Sequence, residues 1–97
     1  MSVELKKWDA VEHLNSTEDM QLYLDACMEE GDSSLIAAAL GDIARAKGMT
    51  QVARSTGLAR EALYRSLSPT GNPEFSTILK VVDALGLRLS VMPKQVA

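Results

Sequence analysis

Apolar residues recur at intervals of three and four along most of the chain, which is the spacing of amphipathic helices. The pattern predicts a short helix that Asp9 caps and that ends near Leu14. Two longer helices follow, one that starts at Ser16 or Thr17 and one that Asp32 or Ser33 caps. Shorter helices are predicted over residues 51–56, 60–67 and 75–85. Glycines at positions 31, 48, 57 and 86 stand where these helices should end. The sequence therefore predicts an all-α protein.

The last part of the chain has a different period. Leu87, Leu89 and Val91 alternate with more polar or flexible residues until Pro93, and a period of two indicates a β-strand. We therefore expect a short C-terminal strand, which would need a partner edge to be stable. The alternative is a frayed tail.

Composition excludes several classes of protein. The chain has one cysteine, Cys27, and one histidine, His13, too few for an internal disulfide or a Cys/His zinc site. Cys27 lies on the apolar face of its helix, so we interpret it as a core residue and expect no catalytic pair and no cofactor. Without a signal peptide or a membrane-spanning apolar run, the expected location is the cytoplasm. Trp8 is expected to be a packing anchor.

Charge is distributed unevenly along the chain. The formal net charge is −3, but residues 1–44 carry −8, residues 45–80 carry +4 and residues 81–97 carry +1. Two surfaces of opposite sign would suit two different partners. Uneven but purely solvated charge is the alternative.

Residues 51–67 contain the most informative pattern, two short helices separated by a glycine turn. Ala53 is small enough for the helices to cross closely, Gly57 tolerates the positive φ of the turn, and Leu63 fills the wedge between them. This arrangement is typical of a DNA-binding helix-turn-helix, whose second helix, residues 60–67, would enter the major groove.

At about 100° per residue, four side chains of the second helix face outward. The predicted inward-facing residues are Ala59, Ala62, Leu63, Ser66 and Leu67. An arginine can pair with guanine through two hydrogen bonds, and a glutamate can accept one from cytosine. The predicted base-reading residues are Arg60, Glu61, Tyr64 and Arg65. An ordinary surface helix is the alternative interpretation.

Other polar residues near this motif are candidates for contacts with DNA phosphates. Gln51 and Thr50, which is predicted to cap its helix, lie at a helix start where backbone N–H groups favour anions. Ser68, Thr70 and Asn72 follow the reading helix in a loop rich in turn residues. They are equally well explained as turn formers.

A resemblance to known families rests on Tyr23, Leu24, Phe75, Thr77 and residues 39–46, 57–64, 71–73 and 84–87. Residues 33–92 resemble the phage-repressor, or Xre/Cro-like, superfamily of five-helix helix-turn-helix domains. Residues 14–93 resemble, more narrowly, the addiction-module antidote family of small prophage-type antitoxins. Together with the charge and strand patterns, the resemblance divides the chain into an acidic N-terminal helical extension over 1–32 and a DNA-binding domain with a C-terminal strand over 33–97. Ala59, where the wider family has Ser or Thr, and Ser66, at a usually apolar site, depart from the pattern.

The resemblance implies two activities. The chain would neutralise a neighbouring toxin, commonly RelE-like, by direct binding, and as a homodimer it would repress its own operon by binding operator DNA. The C-terminal strand could pair with its symmetry mate, the N-terminal segment or the toxin. A stand-alone phage-type repressor and an adaptor that binds only proteins are the alternatives. The acidic N-terminal half favours the antitoxin over the stand-alone repressor. Arg60 and Arg65 disfavour the adaptor, which would not bind DNA.

Overall fold

The computed structural model describes residues 10–94, and every regular element in this range is helical. A 3-10 helix, Ala10–His13, is followed by five α-helices. These are α1 (Thr17–Glu30), α2 (Ser33–Lys47), α3 (Met49–Thr56), α4 (Arg60–Ser66) and α5 (Phe75–Ala84). The all-α prediction is confirmed; of the five α-helices, α1 lies before residue 33, α2 begins at it and three follow. The predicted Asp9 cap and the predicted packing of Trp8 concern residues outside the described range.

The helix starts follow the expected capping chemistry at α1 and α2 but not at α3. Ser16 accepts a hydrogen bond from the Asp19 N–H at 3.1 Å, and Asp32 accepts one from the Ser34 N–H at 2.9 Å. Thr50 was predicted to cap α3, which is wrong, because the helix begins at Met49 with Gly48 as its N-cap. Gly48, at φ 116°, joins α2 directly to α3, so Thr50 lies within the first turn.

Helix α2 forms the centre of the molecule. Ala39, Leu40, Ile43 and Ala44 are completely buried, and α2 packs against the 3-10 helix and each of the other four α-helices. Leu40 and its neighbours share one hydrophobic core with Met20, Leu24 and Cys27 from α1 and with Leu63, Val81, Val82 and Leu85 from the C-terminal half. The N-terminal helices therefore contribute to the same core as the rest of the described chain.

A polar contact on the flank of this core joins α1 to α2. The Tyr23 hydroxyl donates a hydrogen bond to Asp42 at 2.8 Å, and Asp42 also pairs with Arg45 one turn later. Burial, together with the hydrogen bond to the Asp42 carboxylate, raises the pKa of Tyr23 well above its ordinary value. The neutral phenol is thus the form that the folded state stabilises.

The predicted C-terminal strand is absent from the described residues. Residues 87–94 form no regular secondary structure. Leu87 and Leu89 pack against the core, whereas Val91 is 99% exposed. The predicted alternation therefore appears as alternating burial of side chains. A strand also needs the backbone edge of a second strand for its ladder hydrogen bonds. Residues 10–94 supply no such edge.

None of the helices within residues 10–94 combines the length and apolar character needed to cross a bilayer.

Replacing Tyr23 by phenylalanine should lower the free energy of unfolding by about 1 kcal/mol near neutral pH, because the bond to Asp42 is lost. The unfolded tyrosine ionises near pH 10, below the raised pKa in the folded state. The contribution of Tyr23 should thus be complete below about pH 10 and decline above it. Denaturant unfolding followed by circular dichroism at several pH values measures both effects. Tyr64→Phe, at an exposed tyrosine, is the matched control, and an equal loss in the two variants would contradict the prediction.

Candidate nucleic-acid interface

The turn between α3 and α4 is built from backbone and hydroxyl hydrogen bonds. Gly57, in the left-handed region at φ 73°, ends α3 and donates its N–H to the Ala53 carbonyl at 2.9 Å. The Thr56 hydroxyl donates to the Val52 carbonyl at 2.8 Å and accepts from the Leu58 N–H at 3.3 Å. The positive φ expected at Gly57 is therefore confirmed. The role of Thr56 was missed, although a threonine directly before a turn glycine is a recognisable signal for such a hydroxyl-stabilised turn.

Helix α4 separates its buried and exposed residues largely as the angular pattern predicts. Leu63 and Leu67 are buried, Ala62 and Ser66 are half-buried, and Ala59 is exposed instead of facing inward. Ala59 precedes the helix and supplies no side-chain cap. The four predicted base-reading residues, Arg60, Glu61, Tyr64 and Arg65, are all exposed, so one solvent-facing arc carries two guanidinium groups, a carboxylate and a phenol.

The position of α4 depends on a glycine in α2 that the sequence analysis missed. Gly41 is buried, and a methyl group in place of its hydrogen would overlap the backbone carbonyl oxygen of Leu67. The end of α4 therefore rests directly on the backbone of α2. Helical glycines with no turn to explain them are the sequence signal for such a close approach.

The loop after α4 folds back onto the helix end. The Gly71 N–H donates to the Ser68 carbonyl at 3.0 Å, and a side chain at Gly71 would overlap the carbonyl of Ser66. The Ser68 hydroxyl donates to the Arg65 carbonyl at 3.0 Å. Because a phosphate oxygen can only accept, Ser68 would have to give up that bond to contact one.

The predicted phosphate-contacting residues lie in two groups. Thr70 and Asn72 line an open cavity of about 510 Å³ together with Arg65, at the junction of α4, the loop and α5. Thr50 and Gln51 are exposed in the first turn of α3, where no side chain caps the free backbone N–H groups. The structure thus joins the loop residues to the end of α4 and keeps Thr50 and Gln51 at a separate helix start.

A second charged surface covers α1, which has no Lys or Arg. Glu18, Asp25 and Glu29 are exposed and follow one another at helical spacing, and Leu22 between them is 68% exposed. We call these four residues the α1 acidic face. Leu22 is thus a large apolar side chain surrounded by carboxylates on the solvent side of α1.

Cys27 lacks the surroundings of a nucleophile. It is buried in the core, and its burial, with the charges of Asp42 and Glu30, raises the pKa of the thiol. A protonated, buried thiol is a poor nucleophile. Within residues 10–94 no three His, Cys, Asp or Glu side chains converge on a position that could hold a metal ion.

Comparison with known proteins gives two matches along nearly the whole chain. The family model described as "Probable addiction module antidote protein" matches residues 4–93. A protein of Haemophilus influenzae (strain ATCC 51907 / DSM 11121 / KW20 / Rd), named only "Uncharacterized protein", is 50% identical over 97 residues, which cover both chains completely. No solved structure matches. The family model spans the helices that form the core as well as the exposed arc of α4, and the chain therefore belongs to the probable addiction module antidote family.

Proposed function

We propose that the protein is the antitoxin of a type II toxin–antitoxin module, which binds a RelE-like toxin and represses its own operon by reading operator DNA with α4. The proposed DNA binding rests on the exposed arc of α4, a helix whose inner leucines are buried. The exposed side chains are those of Arg60, Glu61, Tyr64 and Arg65. Membership of the antidote family supports the toxin-binding part. It also favours this function over a stand-alone phage-type repressor, which would have no toxin to neutralise.

The α3–α4 pair has the properties that a helix-turn-helix of the Xre/Cro-like superfamily needs. The two helices are separated by the three residues 57–59, and α4 rests on α2 through Gly41 and on the core through Leu63. A reading helix must be held rigidly if its side chains are to discriminate between bases. With α4 in the major groove, the first turn of α3 would face a phosphate through Gln51 and backbone N–H groups.

Alanine at Arg60 or Arg65 should weaken operator binding by about 1–3 kcal/mol and relax the preference at one base pair, because a two-pronged contact to guanine is lost. Gln51→Ala is the matched control at a predicted phosphate contact and should weaken all sequences alike. Binding to the upstream region of the operon and to scrambled duplex would be measured at fixed salt, since phosphate contacts are salt-dependent. Unchanged affinity and selectivity in an Arg60→Ala, Arg65→Ala double variant with intact circular dichroism would exclude α4 as the reading helix.

Toxin binding is assigned to the α1 acidic face. A RelE-like toxin that acts on nucleic acid would present a basic surface, and Glu18, Asp25 and Glu29 would attract it. Leu22 supplies an apolar contact at the centre of these charges, as expected of an interface with a dry core and a charged rim. Because α1 is also part of the hydrophobic core, surface substitutions test this assignment better than removal of the helix.

Leu22→Ser should weaken toxin binding by more than about 1 kcal/mol if Leu22 is a central contact. Glu18→Lys with Glu29→Lys should mainly slow association, and the effect should be strongest at low salt. Titration calorimetry would measure the affinity, surface plasmon resonance at two salt concentrations the association rate, and rescue of growth during toxin expression the neutralisation. Leu22→Met, which keeps an apolar side chain, is the matched control. A folded variant with Leu22→Ser, Glu18→Lys and Glu29→Lys that still neutralises the toxin fully would exclude the α1 acidic face as the toxin-binding surface.

The exposed face of α5 supports a homodimer, which would read two half-sites about one helical turn apart. Phe75 is 66% exposed and Leu79, one turn later, is 45% exposed, whereas a helix in an isolated domain usually buries such residues. Lys80 and Asp83, of opposite charge, are exposed on the same helix. A two-fold axis brings identical patches together, so Phe75 and Leu79 of the two copies would cover each other.

Leu79→Lys should convert the dimer to a monomer, because a charge would be placed in the apolar contact. Light scattering at tens of micromolar protein would show the loss of mass, and operator affinity should fall as one half-site is released. Lys80→Gln, which changes charge on the same helix without entering the apolar patch, should stay dimeric. A wild-type protein that is monomeric at that concentration would refute the dimer.

A further inference from the structure

The two arginines on the exposed arc of α4 differ in their surroundings. The guanidinium carbon of Arg60 lies 5.5 Å from the centre of the Tyr64 ring, within the range of a cation–π contact. Arg60 and Tyr64 are one turn apart on α4, so the helix itself sets this geometry. Arg65 lies over no ring among the described residues.

The place of Arg60 in the helix makes this contact informative. Arg60 is the first residue of α4, where the partial positive charge of the helix end disfavours a cation. Arg65, in the last turn, is at the end that favours one. The Tyr64 ring offsets the unfavourable position of Arg60, since the face of an aromatic ring carries partial negative charge. It also reduces the number of rotamers that the arginine populates.

A guanidinium held over a ring can still read a base. Where the flat face of the group meets the ring, its N–H donors lie in the plane and remain free for the two acceptors of guanine in the major groove. An arginine that is already ordered loses less conformational freedom on binding, which increases affinity and selectivity without any new contact.

We propose that Tyr64 is a positioning residue, whose ring orients Arg60 for base reading, and that the phenol itself reads no base. The proposal rests on the proposed function, since it assigns roles within the DNA-reading arc. It makes Arg60 the dominant specificity residue of α4. Arg65, which lacks an aromatic platform, contributes less discrimination.

The test uses the full chain and a duplex selected from a random-sequence library, so that no operator sequence has to be assumed. Tyr64→Leu should reduce discrimination at the base pair that Arg60→Ala relaxes, by roughly two- to thirtyfold. Tyr64→Phe, which keeps the ring and removes the hydroxyl, should discriminate like the wild type. A merely structural role of Tyr64 would instead weaken all sequences together.

Double variants separate positioning from independent contacts. In the Arg60→Ala background, Tyr64→Leu should cause little further loss, because the residue that the ring orients is already gone. In the Arg65→Ala background, the same change should have its full effect. Unchanged circular dichroism establishes that the helix remains folded in every variant.

A measurement without DNA tests the contact itself. The ring current of Tyr64 should shift the NMR signals of the Arg60 side chain in the wild type and in Tyr64→Phe, and this shift should disappear in Tyr64→Leu. Absence of the shift, full discrimination by Tyr64→Leu, or equal losses in Tyr64→Leu and Tyr64→Phe would each overturn the positioning role while leaving DNA binding intact. Failure of the wild type to select any sequence would overturn the proposed DNA-binding function and this inference with it.

Discussion

Backbone contact between α2 and the end of α4 is the constraint on which the exposed surface of α4 depends. Gly41 has no side chain, and the Leu67 carbonyl occupies the space that a Cβ would fill. Leu63, completely buried one turn earlier, fixes the rotation of α4 about its axis. With one face of the helix held in this way, the direction of Arg60, Tyr64 and Arg65 is decided by the core and not by the loop on either side.

Two adjacent residues of α2 contact the two helices to which we assign functions, α1 for toxin binding and α4 for DNA reading. Gly41 contacts the end of α4, and Asp42, the next residue, accepts the hydrogen bond from Tyr23 of α1. Helix α1 therefore packs on α2, as the candidate reading helix does, and the α1 acidic face is exposed to solvent. One chain of 97 residues can thus present an acidic surface and a cationic arc without a flexible linker between them.

Helix periodicity and glycine stops were sufficient to locate the α-helices, because apolar spacing and stop residues are local properties. The errors arose where the outcome depends on a backbone conformation or on a neighbouring backbone edge that the side-chain pattern does not specify. Thr50 has the chemistry of a cap, but the conformation of Gly48 starts α3 two residues earlier than predicted. Leu87, Leu89 and Val91 alternate as a strand does, but alternation requires only one buried side, whereas a strand also requires an unoccupied edge beside it.

The sequence by itself determined the helical class, the turn at Gly57 and the four side chains on the outer arc of α4, since all of these follow from spacing along a single helix or turn. Tertiary packing alone decided that Gly41 is a contact point and that Phe75 and Leu79 remain exposed while Val81 and Val82 are buried. A helical pattern identifies an apolar face, but which part of that face meets the core depends on how neighbouring helices cross it.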